Sequence, residues 1–120
     1  MPKQDHVYTE AQLADRLGAL PGWRFEQGAI RRAYKTDGWP TTLMLVNTLG
    51  YIAQAADHHP ELAVSYRRVV VTLSTHSAGG VTDKDLEVAR RFDEVALWRP
   101  SGGALTGTTD EFVRSDTGRA

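Results

Sequence analysis

The 120-residue chain has no cysteine. Disulfides, thiolate metal ligands and a cysteine nucleophile are therefore excluded. It also lacks an excess of either charge: 14 Lys and Arg against 15 Asp and Glu leave a formal net charge of −1. No broad electrostatic footprint for nucleic acid or an anionic membrane results, so neither is expected as a partner. Long hydrophobic runs are missing too. The longest apolar stretch, TTLMLVNTLGYIAQAA at residues 41–56, is interrupted by Asn47, Gly50 and Gln54 and is too short to span a bilayer. The first residues, MPKQDHVYTEAQ, are polar and lack a signal peptide's apolar core, which fits a cytoplasmic protein. No internal repeat is visible. There is no GxSxG nucleophile elbow and no HExxH zinc spacing.

What remains is enough for one packed domain, with 41% hydrophobic residues. Thr9 and Gln12 make a capping-box pattern, flanked by Tyr8 and Leu13 as a hydrophobic staple, and predict a helix over residues 10–17. Trp23 and Phe25 alternate with polar residues, Gly28 marks a turn, and residues 30–34 read as the second strand of a hairpin. Pro40 suits a first helical turn, and Leu43, Val46, Leu49, Ile52, Ala53 and Ala56 follow at helical spacing to near His58. ELAVSY reads as a short strand and the β-branched RRVVVTLST as a strong one, with Val69, Val71 and Leu73 facing one way and Val70, Thr72, Ser74 and His76 the other. Thr82 and Asp85 form a second capping box, starting a helix with an apolar stripe of Leu86, Ala89, Phe92 and Ala96. The order is α-β-β-α-β-β-α. It predicts an α+β fold, a four-stranded antiparallel sheet with helices on one face, in a single domain over residues 1–98. Residues 99–120, rich in Gly, Ser and Thr, read as a C-terminal extension. The arginine pairs at 31–32, 67–68 and 90–91 read as solvated faces.

The chemistry concentrates in DHHPE at residues 57–61 and in His76. His58 is expected in the last turn of the second helix, with Gln54 one turn back on the same face. Pro60 disfavours helical geometry at His59 and turns it elsewhere. His76 lies past the end of the long strand. Three imidazoles can thus converge where helix and strand ends meet, and imidazole is the side chain best matched to proton transfer near neutral pH. The plainer alternative makes each histidine a surface or capping residue, as His6 is read, and Asp85 only the acid of its capping box. Zinc is disfavoured, because adjacent ligands such as His58 and His59 rarely reach one metal.

The run HHPE, then Tyr66, VVVTLSTH and GGVTDKDLEVAR, resembles the pterin-4a-carbinolamine dehydratase (4a-hydroxytetrahydrobiopterin dehydratase) family, over residues 22–95. The family pattern is a charged residue, three residues, His-His-Pro, an aromatic, a histidine and an aspartate. His58, His59, Pro60, Tyr66, His76 and Asp85 match it. The resemblance implies the α-β-β-α-β-β-α fold, homodimers or homotetramers, and dehydration of 4a-hydroxytetrahydropterin to quinonoid dihydropterin without metal or organic cofactor. His58 and His76 would transfer protons, His59 would bind and orient the pterin, and Asp85 would hold an imidazole or the pterin. Gln54 departs from the pattern, standing where the family has a charged residue, most often glutamate. The second helix lacks the family's phenylalanines, and the chain runs past the usual family end. These departures admit an alternative: an inactive relative acting as a RuBisCO assembly factor associated with α-carboxysomes. A transcriptional coactivator role, known in animal relatives, is a weaker third option.

Overall fold

The computed structural model describes residues 5–117. Thr9 and Gln12 close the expected reciprocal capping box, and helix α1 (Glu10–Arg16) follows, running into a 3₁₀ turn at Leu17–Ala19. Strands β1 (Arg24–Glu26) and β2 (Ala29–Thr36) form the hairpin. Its two loop residues, Gln27 and Gly28, both have positive φ (52° and 77°), the backbone that matches the twist of a tight hairpin. Helix α2 (Trp39–Ala56), with Pro40 in its first turn, leads to β3 (Glu61–Ser65) and β4 (Arg68–Leu73). Helix α3 (Asp83–Ala96) starts at the Thr82–Asp85 capping box.

The sheet order is β1-β2-β4-β3, all antiparallel. One expectation needs correction: the sheet has five strands. Residues Val113–Asp116, in the region expected to be a mere extension, form β5 and pair with Ala33–Thr36 of β2. The reason is the shortness of β1, which pairs only with Ala29–Arg31. The second half of that β2 edge would otherwise leave backbone donors and acceptors unpaired, and β5 supplies them. An Arg68–Asp116 ion pair at 3.1 Å ties β5 to β4 as well.

Alternation decides the faces. Ile30 and Tyr34 of β2 and Val69, Val71 and Leu73 of β4 pack with Leu45, Leu49 and Ala53 of α2 and Val88, Ala89 and Phe92 of α3. Leu13, Leu20, Trp23 and Val81 complete that core. The opposite sheet face carries Arg31, Lys35 and Thr72 and, among the described residues, no helix.

Arg32 is a second correction. Expected on a solvated face, it is 1% exposed, on the helix side of β2 between Ile30 and Tyr34. Its Nη1 donates to Asp93 of α3 at 3.0 Å, and its Nη2 to the Ser115 hydroxyl of β5. Asp93 also accepts from Trp23 Nε1 (2.9 Å) and from the Tyr34 hydroxyl (2.5 Å). The guanidinium stacks on the Tyr34 ring at 4.4 Å. Gly22 (φ 96°) lets the preceding loop lie against it, since a Cβ there would sit 2.9 Å from the guanidinium carbon. Burial foremost, and then the Asp93 charge, push the Tyr34 hydroxyl well above the usual tyrosine range, so it stays a donor.

Candidate functional site

The site begins where α2 stops. Asp57 adopts a left-handed conformation (φ 53°, ψ 42°). The Asp57 N–H donates to the Gln54 carbonyl at 3.2 Å and the His58 N–H to the Ala53 carbonyl at 3.1 Å. This is the Schellman pairing that closes a helix. His58 therefore lies beyond the helix, not in its last turn as expected, and the left-handed step breaks the one-turn relation to Gln54. The expected pairing is exchanged: Gln54 Oε1 accepts from His59 Nε2 at 2.8 Å, whereas His58 Nε2 reaches Asp85 Oδ1 at 2.6 Å.

Asp85 is the acid of its capping box and also the partner of His58. It is completely buried. Its Oδ2 accepts from the Thr82 N–H (2.9 Å), as a capping-box acid must, and from the Thr75 hydroxyl (2.8 Å). Its Oδ1 is left for His58. The same carboxyl group thus starts α3 and fixes an imidazole delivered by the end of α2.

Pro60 ends the turn and sends the chain into β3, so His59 and Glu61 emerge at the start of that strand. His76 sits opposite, on a tight turn. There the Thr75 carbonyl accepts from the N–H groups of Ala78 (3.0 Å) and Gly79 (2.9 Å), and Thr75 bridges to Gly80. His59 and His76 line one cavity of about 340 Å³ on the helix-free sheet face, together with Glu26, Arg31, Glu61 and Thr72. His58 lies outside that lining. It borders instead a groove of about 630 Å³ between α2 and α3, beside Ile52 and Val88. Two of the three histidines therefore share a hollow, and the third is anchored behind it. Tyr66, the aromatic of the sequence pattern, follows the far end of β3, exposed and stacked with Arg67 at 5.3 Å.

Glu26, Arg31 and Glu61 were not singled out as site residues by sequence. Thr72 shares a β4 face with His76 by simple alternation, and Glu61 lies two residues from His59, so both had a local signal. Arg31 had none: its place depends on the β2–β4 register that sets it opposite Thr72. Arg31 Nε donates to the Thr72 hydroxyl at 3.2 Å and Nη1 to Glu26 at 2.6 Å. Arg24 also binds Glu26, at 2.9 Å. These hydrogen bonds, from Arg24 first and then Arg31, hold the Glu26 carboxyl below the usual carboxylate range.

A four-stranded sheet extended by a fifth, helices on one face and a histidine-bearing hollow on the other define an α+β protein. Residues 6–95 match the family model "Pterin 4 alpha carbinolamine dehydratase". A protein of Roseiflexus castenholzii, provisionally named pterin-4-alpha-carbinolamine dehydratase, is 37% identical over 89 residues, covering 74% of this chain and 96% of its own length. One from Xanthomonas campestris, with the same provisional name, is 43% identical over 96 residues, covering 75% of this chain and 81% of its own. The crystal structure of a Brucella melitensis protein titled transcriptional coactivator/pterin dehydratase superposes with a TM-score of 0.72 at 36% identity. It spans 76% of this chain and 99% of the Brucella chain. The chain belongs to the pterin-4a-carbinolamine dehydratase family. Among the described residues, no helix is long and apolar enough to cross a membrane.

Proposed function

We propose that this protein dehydrates 4a-hydroxytetrahydropterin to quinonoid dihydropterin by histidine acid–base catalysis. The observation that carries the proposal is the shared cavity of His59 and His76. The reaction breaks the C4a–O bond and removes a ring N–H proton. One imidazole delivers a proton to the departing hydroxyl, which leaves as water, and another group accepts the ring proton. Two imidazoles across one hollow suit this pair of transfers at neutral pH. The shared cavity supports His59 and His76 as the transferring pair, and the bond to Asp85 supports a positioning role for His58. The test is the dehydration rate of purified protein with a 4a-hydroxytetrahydropterin. A rate equal to buffer alone would sink the enzyme proposal and favour the alternative in which the fold is only a binding platform, for RuBisCO or a transcription factor.

Gln54 separates these two functions. Its amide orients His59 without adding charge. Gln54→Glu places a carboxylate in hydrogen-bond contact with His59 and favours the imidazolium. An opposite charge at that range is worth about 1–3 pKa units, so the variant is expected to raise the neutral-pH rate by about tenfold. An unchanged rate would show that the charge of His59 does not limit the reaction.

Self-association is part of the same proposal. Leu43, Met44 and Tyr51 of α2 and Val95 of α3 are exposed apolar side chains, and Leu43, Met44, Tyr51 and Val95 border one shallow hollow. Such patches mark contact surfaces. Light scattering is expected to give a mass at least twice the 13.2 kDa chain. Leu43→Asp with Met44→Asp should return it toward one chain. A wild-type protein that is already monomeric at micromolar concentration would overturn the assignment.

A further inference from the structure

Among the described residues, Glu61 is the carboxylate of the cavity that no neighbour has claimed. Glu26 is shared by Arg24 and Arg31, and Arg31 is spent on Glu26 and Thr72. Glu61, exposed at the head of β3, has no side-chain hydrogen bond or ion pair among the described residues, yet it lines the same hollow as His59 and His76. Its cross-strand partner is Thr72, which places it on the helix-free face with Arg31 by alternation along the strands. The hollow thus offers one uncompensated acceptor pair, two residues along the chain from the His59 imidazole.

An ionised carboxylate is acceptor-only, with two oxygens that take a fork of parallel donors. A pterin carries such a fork at the pyrimidine end of its ring: the N3–H and the 2-amino group. The reacting C4a lies at the junction of the two rings, away from that edge. We infer that Glu61 is the specificity residue of the site, clamping the N3–H and 2-amino edge and so directing the ring junction toward the histidines. This rests on the dehydratase function proposed above. It adds that the protein selects 2-aminopteridines over 2-oxo rings, and that Glu61 makes the selection. A site built to bind a donor rejects an analogue that presents an acceptor there, because both groups are left unpaired.

The test compares equilibrium binding of 7,8-dihydropterin with that of 7,8-dihydrolumazine, which carries an oxygen where the pterin carries the 2-amino group. Fluorescence titration of the wild-type protein and of Glu61→Gln gives four affinities. Wild-type protein is expected to favour the pterin by at least tenfold. Glu61→Gln, whose amide turns a donor toward the fork, is expected to lose most of that preference while keeping the thermal midpoint, since the side chain is exposed and unpartnered. In turnover, the loss should fall on KM more than on kcat. Equal preference in the two proteins would overturn the clamp alone. Wild-type protein that binds neither ring would overturn the clamp together with the proposed dehydratase activity.

Discussion

His76→Ala is expected to lower the rate of 4a-hydroxytetrahydropterin dehydration by about 10²–10⁴-fold, the range contributed by a positioned general acid or base. His76 is exposed and sits on a turn closed by backbone bonds from Ala78, Gly79 and Gly80 to Thr75, none of which uses the imidazole. The variant should therefore keep its melting temperature, and the loss should be one of chemistry. His59→Ala is expected to behave alike. His58→Ala removes the partner of a completely buried carboxyl group, so it should cost stability as well as rate. Under the proposed function, this contrast would separate residues that act on the substrate from one that holds the framework. A loss below tenfold for His76→Ala would take it out of the proton-transfer pair.

The largest stability effect is expected from Asp93→Ala. The change leaves Arg32 buried without its counter-charge and strips the acceptor from Trp23 and Tyr34 in the same step. Removing one partner of a buried ion pair costs about 3–5 kcal/mol, a large share of the total stability of a small domain. Urea unfolding followed by circular dichroism measures it. Asp93→Asn, which keeps an acceptor, should lose less. Replacing the pair together, Arg32→Met with Asp93→Leu, should recover the part of the loss due to the unpaired charge, while Trp23 and Tyr34 still lack their acceptor. An Asp93→Ala variant within about 1 kcal/mol of wild type would mean that water reaches the guanidinium. Ser115 joins the same guanidinium from β5, so residues beyond the family match at 6–95 share in this network and stabilise the core.

Where a structural signal was local, the sequence carried it. Thr9 with Gln12 and Thr82 with Asp85 announced two helix starts, because a capping box closes within four residues. The β-branched run of β4 and its alternation set Val69, Val71 and Leu73 on the core side and Thr72 with His76 on the other, because a strand repeats every two residues. The family, too, was legible from His58, His59, Pro60, His76 and Asp85. The fifth strand was hidden, because VRSD has no apolar alternation and forms only where β1 leaves half of an edge uncovered. The burial of Arg32 was hidden as well, since its neutralising partner Asp93 comes from a distant helix.

By itself, the chain determined which residue types were on hand for the chemistry and, β5 aside, which segments would be helix or strand, since both depend on neighbours in sequence. Only the tertiary structure decided their partners. A single left-handed residue, Asp57, swung His58 onto Asp85 and His59 onto Gln54. Strand register then set Glu61 across from Thr72, and packing brought His59 and Glu61 to one hollow with His76, because contacts between distant segments follow from packing and backbone direction and not from spacing along the chain.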